Sequence, residues 1–204
     1  MSVMHIPGHE YQGPREVSLR EIRDLMGNCQ LCPLGQTRNN LVFGVGNPHA
    51  RVMFVGEGPG RNEDLQGEPF VGAAGHKLDE LLSYAGLTRK EVYIANVIKC
   101  RPPSNRNPRP EEIQACSPFL REQIRSIWPD VIVCLGNFAS QFVLRTGAMS
   151  LRGRLHQTGH FVVCPTFPPA ACLYHQEWEP LLIEDLTLVG NWLKEHPAKE
   201  DAHE

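Results

Sequence analysis

Four cysteines stand in two pairs whose spacing invites ligation. Cys29 and Cys32 form a CxxC, and Cys100 and Cys116 lie 16 positions apart in KCRPPSNRNPRPEEIQAC, a loop of prolines and arginines almost without apolar residues. Four thiolates can hold a structural zinc, a [2Fe–2S] or a [4Fe–4S] cluster, and on spacing alone zinc and iron–sulfur stand level. Disulfides are the poorer reading, because the chain has seven cysteines, an odd number, and its first residues lack the apolar core of a secretory signal. Cys134 and Cys164 fall in apolar runs and read as small core residues, and Cys172 also stands outside the two pairs. The second candidate for chemistry is GEGPGRNEDLQGEPFVGAAG, which sets Glu57 between glycines. Glycines let the backbone approach a ligand closely, and a carboxylate so placed can orient a water. An ordinary strand-end turn explains the same residues. A dinucleotide loop is a weak reading, since no helix is expected directly after the glycines and a glutamate would repel a pyrophosphate. The third feature is charge: Lys99, Arg101, Arg106 and Arg109 precede the first acid at Glu111, in a chain of net charge −3. Such a patch can follow phosphates whatever the global charge, although a solvated loop would carry the same residues.

These residues need elements to hold them. Ser18 to Glu21 reads as a capping box opening a short helix that ends near Gly27. RVMFVGE, VYIANV, VIVCLG and FVVCP are short apolar runs that predict four strands. Between them, Leu78, Leu81, Leu82 and Ala85 recur at helical spacing with Gly86 as C-cap. Pro110, Glu111 and Glu112 open a helix to about Ile127, Asn137 is placed to cap the next, and Pro180 to Lys194 closes the chain. Strands alternating with helices predict a three-layer α/β/α sandwich around a four-stranded, mostly parallel sheet, with its site at the strand C-terminal ends. At 204 residues and 41% hydrophobic the chain makes one domain, placed at 17–195, with loose segments at 1–16 and 196–204. No apolar run approaches the roughly 18 residues of a membrane span, so a cytoplasmic protein is expected.

Taken together, GEGPGRNEDLQGEPFVGAAG, NVIKCRPPSNRNPRPEE and the four spaced cysteines resemble the family 4 uracil-DNA glycosylases, the iron–sulfur members of that superfamily, over roughly Val17 to Lys194. The resemblance implies a [4Fe–4S] cluster on Cys29, Cys32, Cys100 and Cys116, bracing the basic loop, with Arg101, Arg106 and Arg109 toward DNA. It implies Glu57 as the carboxylate that positions the attacking water, and Phe70 as the ring that stacks on the extruded uracil. Asn96 becomes the amide that reads the uracil edge, and Glu63 the group near C5 that hinders a thymine methyl. By itself Phe70 would read as core and Asn96 as a strand-end turn residue. The implied activity is hydrolysis of the N-glycosidic bond of flipped deoxyuridine, by a monomer whose partner is uracil-containing DNA and not a membrane.

One motif departs from the family pattern. Where the family has His-Pro-Ser, PTFPPAACLY places Pro168 at the histidine and Ala170 at the serine, so both polar groups are missing. His175, just downstream, is a candidate substitute. A binding module that has lost catalysis, or a glycosylase for another deaminated base, therefore stays open beside the active enzyme.

Overall fold

The structure is a computed structural model and describes residues 17–198. The segments expected to be loose, 1–16 and 196–204, lie outside the described residues except for 196–198. Eight α-helices can be numbered among the described residues: α1 (Leu19–Met26), α2 (Leu34–Thr37), α3 (Arg61–Gln66), α4 (Ala73–Leu82), α5 (Pro110–Ile127), α6 (Asn137–Leu144), α7 (Ala148–Leu151) and α8 (Glu179–Glu195). The strands are β1 (Val45–Gly46), β2 (Val52–Gly56), β3 (Tyr93–Asn96), β4 (Val131–Leu135), β5 (His156–Thr158) and β6 (Phe161–Thr166).

The sheet has six strands, in the order β1-β3-β2-β4-β6-β5. The four central strands are the predicted ones and run parallel; two unpredicted antiparallel strands, β1 and β5, close the edges. The expected four-stranded sheet is thus its parallel core. β1 is only two residues long, and β5 reads His-Gln-Thr, so neither offers an apolar run. The central strands are buried on both faces, as crossover helices on both sides require.

Alternate strand residues sort the layers. Met53, Val55, Ala95, Ile132 and Cys134 pack with Met26, Ile113, Leu120, Ile124 and Phe142, the buried faces of α1, α5 and α6. Val52, Phe54, Ile94, Val133 and Cys164 face Leu78, Leu82, Leu182, Leu186 and Val189 from α4 and α8. The Ser18–Glu21 capping box forms as expected, with Ser18 N donating to Glu21 Oε2 at 2.7 Å. Asn137 does not cap α6: Gly136, at φ +93°, holds that position, and Asn137 Oδ1 instead accepts from Ala148 N at 2.9 Å.

On the α8 side a buried carboxylate joins distant segments. Asp185 accepts from Arg152 Nε and Nη2 at 3.0 Å each, from Gly153 N at 2.9 Å and from Thr166 Oγ1 at 2.6 Å. A buried carboxylate is tolerable only when so fully bonded. The result fixes the end of β6, where the departing PTFPPAA segment begins.

Candidate active site

Because β2, β3, β4 and β6 are parallel, their C-terminal ends meet at one edge of the sheet. A cavity of about 320 Å³ opens there, lined by residues from all four exits, among them Glu57, Asn96, Leu135 and Pro168. Glu63, Phe70, Arg106 and Ala170 complete much of its wall. A larger groove of about 840 Å³ lies between α4 and α8, lined by Lys77, Cys172, Glu179 and Ile183. It holds none of the predicted constellation, so chemistry and not size selects the smaller cavity.

Asn96 ends β3 and is buried, and its Oδ1 has no hydrogen-bond partner among the described residues. An unpaired buried amide oxygen typically costs about 1–3 kcal/mol, so a ligand that supplied a donor would recover that loss. The floor beneath it is Gly56: a Cβ there would stand 2.5 Å from Asn96 Oδ1 and 2.7 Å from the Phe70 ring. Past the strand ends the ladder continues, with Val97 N donating to Gly56 O at 2.9 Å and Ile98 N to Glu57 O at 3.1 Å. The backbones carrying the amide and the acid are thereby locked together. Glu57 keeps an exposed surface, yet desolvation by the surrounding protein pushes its carboxyl above the usual range. The two facts agree for a group at a cavity mouth, reachable by small molecules but short of bulk water.

Phe70 sits at φ +55°, the left-handed region that a bulky residue seldom adopts. Two features hold it there. Arg89 Nη2 donates to Pro69 O at 2.6 Å and Phe70 O at 2.9 Å, while Asp79 anchors Nη1 at 2.8 Å. Gly75 in α4 leaves room, since a Cβ on it would fall 1.8 Å from Phe70 O. Glu63 is held just as firmly, accepting from Val71 N and Gly72 N at 3.0 Å and from Gly60 N at 3.1 Å. Its carboxylate thus fastens the loop before α4 while its side chain forms cavity wall.

The basic loop divides. Lys99 is fully buried, not solvent-facing, and burial pushes its amine down to about 8. Arg106 makes a bidentate pair with buried Glu112, at 2.9 and 2.6 Å; this bond, above all, holds Glu112 below the usual carboxylate range. Arg101 is half-buried and bonds Asn105 at 2.7 Å, and Arg109 stands exposed. His175 stacks on Trp178 with ring centres 4.6 Å apart and lies 3.3 Å from Glu177, away from the cavity wall. Pro168 and Ala170 are at the wall, so the departure from the family motif falls within the site.

The four cysteines of the two pairs come into one neighbourhood, where Cys100 feels Cys32 and Cys29, and Cys116 feels Cys100 and Cys32. Burial pushes the Cys116 thiol up to about 12 and raises that of Cys100, which Arg38 opposes. Two N–H groups are aimed at these sulfurs: Arg38 Nη1 reaches Cys100 Sγ at 3.3 Å and Lys99 N reaches Cys116 Sγ at 3.2 Å. Arg38 also donates to Cys29 O at 2.8 Å, tying the CxxC to the second pair. Such donors suit thiolates that stay deprotonated on a metal centre. Among the described residues, no three His, Cys, Asp or Glu side chains converge on a point that would clasp one ion. Arg38, Arg89 and Gly75 are supports that sequence reasoning missed, since each works through a backbone carbonyl or a close approach.

The family description "Uracil DNA glycosylase superfamily" matches residues 43–187, which include Glu57, Phe70, Asn96 and the β6 exit. The chain is 44% identical over 179 residues to the type-4 uracil-DNA glycosylase of Archaeoglobus fulgidus, covering 83% of this chain and 89% of that protein. With the type-4 uracil-DNA glycosylase of Thermotoga maritima it shares 43% over 186 residues, 88% of this chain and 97% of the other. Similarity of that extent makes this chain a member of the uracil-DNA glycosylase superfamily, in its type-4 branch.

Proposed function

We propose that this protein excises uracil from DNA by hydrolysing the N-glycosidic bond of a flipped deoxyuridine. The observation that carries the reading is Asn96, a buried amide with an unsatisfied Oδ1 in a cavity floored by Gly56 and walled by Phe70. Uracil offers N3–H as donor and O4 as acceptor, which an asparagine amide complements; cytosine presents the reverse pattern. Phe70 gives the base a stacking face, and Glu63 stands where it would obstruct a C5 methyl. As the base leaves as an anion the sugar gains positive charge, which Glu57 stabilises while guiding water to it. Cys29, Cys32, Cys100 and Cys116 hold a [4Fe–4S] cluster, which stabilises a loop that cannot fold on apolar burial. Arg101 and Arg109 meet DNA phosphates, and Arg106, its charge offset by Glu112, offers its remaining N–H groups at the mouth.

The test is release of uracil from single- and double-stranded oligonucleotides, read as strand scission after alkali. Gly56→Ala should lower release by about 100-fold, because the new methyl displaces both Asn96 and Phe70 from their working positions. An unchanged rate would mean that the base binds elsewhere.

One observation favours a second reading, a DNA-binding module or a glycosylase for another deaminated base: Pro168 and Ala170 offer the leaving group no side-chain donor. The double substitution Pro168→His with Ala170→Ser should raise single-turnover release about tenfold or more, equivalent to about 1.4 kcal/mol of barrier. DNA binding without base release, in wild type and double variant alike, would establish the binding module instead.

A further inference from the structure

The fully buried Lys99 is absorbed neither by the phosphate patch its sequence suggested nor by the chemistry above. Its Nζ donates to Asn96 O at 2.8 Å and to Gln123 Oε1 at 2.6 Å. Its backbone N–H points at Cys116 Sγ. Cys116 and Gln123 both belong to α5, seven positions apart, so they occupy one face of that helix two turns from each other. Gln123 is itself fixed, donating to Phe43 O at 2.9 Å and to Tyr93 Oη at 3.3 Å. Lys99 is therefore clipped to α5 at both ends of the residue, and from that purchase it grips the peptide that carries the Asn96 side chain.

We propose that Lys99 is the positioning residue for the base-reading amide, a brace through which α5 and its cysteine ligand set the orientation of Asn96. The inference rests on the glycosylase reading of the cavity. Alternatives for holding Asn96 are few: its side-chain Oδ1 has no partner among the described residues, so the side chain is aimed by the backbone at the end of β3. On one side that backbone is pinned by the ladder to Gly56 and Glu57, and its carbonyl is held by Lys99. Both bonds need only N–H donors on the amine, which its charged and neutral forms each supply, so the brace does not depend on which form is present. Near-attack geometry is steep in distance, and a displacement of about 1 Å can lower a rate about 100-fold.

Lys99→Met preserves the length of the stem and removes the donors. In the iron-loaded protein we expect single-turnover uracil release to fall about 10- to 100-fold, with iron per chain, visible absorbance and affinity for DNA bearing an abasic site all within twofold of wild type. The decisive measurement is a double-mutant cycle with Asn96→Ala. If Lys99 acts through Asn96, Lys99→Met lowers the rate less than about twofold once the amide is gone. An equal loss in both backgrounds, or loss of iron in step with loss of rate, overturns the proposal by showing that Lys99 serves the fold or the metal site. Should Lys99→Met not fold, Gln123→Leu removes one of the two acceptors and must show the same dependence on Asn96 with a smaller loss; additivity there overturns it equally. A wild-type protein that releases no uracil sinks the glycosylase reading and the brace together, whereas an active wild type with additive losses sinks the brace alone.

Discussion

Asn96→Asp is expected to abolish uracil excision, lowering single-turnover release by about 10³-fold or more while DNA binding persists. The change is nearly isosteric, so the cavity keeps its shape, but an N–H donor becomes an oxygen. Opposite O4 of uracil two acceptors then face each other with no proton between them. A site built around a hydrogen bond rejects a mismatched partner far more strongly than an apolar pocket rejects a methyl, by about 10⁴–10⁵ in favourable cases. The loss is compounded by burial, since Asn96 is 2% exposed and water cannot enter to repair the mismatch. Release within tenfold of wild type, from a protein with unaltered iron content, would show that some other group reads the base.

Glu57→Gln should lower the rate by about 10²–10⁴-fold, the usual range for a positioned acid or base, and should also change the shape of the pH profile. Burial raises the Glu57 carboxyl above its ordinary value. The working carboxylate is present above that raised value and is lost as pH falls through it. The acidic limb of the wild-type profile therefore lies at higher pH than an ordinary carboxylate would give, and the glutamine variant should be flat across the same window. A limb that survives in Glu57→Gln belongs to another group and would remove Glu57 from the chemical step.

What the sequence disclosed and what it hid divide along physical lines. The parallel core was legible because VMFVG, YIAN, VIVCL and FVVCPT are apolar runs with no other use than burial between helices. β1 was illegible at two residues, and β5 at three polar ones, because an edge strand needs hydrogen bonds more than apolar side chains. The predicted site residues Glu57, Glu63, Phe70, Asn96 and Arg106 do line one cavity. Their roles came from resemblance, since composition alone makes Phe70 core and Asn96 a turn. Lys99 misled for a definite reason: beside Cys-Arg-Pro-Pro a lysine reads as solvated, and only the acceptors at Asn96 O and Gln123 Oε1, 3 and 24 positions away, explain its burial. The left-handed Phe70 was likewise hidden, because Arg89 supports it from 19 positions away and Gly75, although only five positions on, does so by the side chain it lacks.

Asp185 sets a schedule for the enzyme's birth. Thr166, at the exit of β6, and Arg152, 33 residues upstream of its partner, both bond to a carboxylate on the last helix. The same helix covers Val52 and Phe54 with Leu182, Leu186 and Val189. Until α8 has cleared the ribosome, α4 alone covers that face of the central strands and Thr166 and Arg152 lack this acceptor, although Glu57, Phe70 and Asn96 have already been translated. A nascent chain thus carries the residues proposed for the site before the helix that completes the layer beneath them, and that layer is closed only when α8 docks.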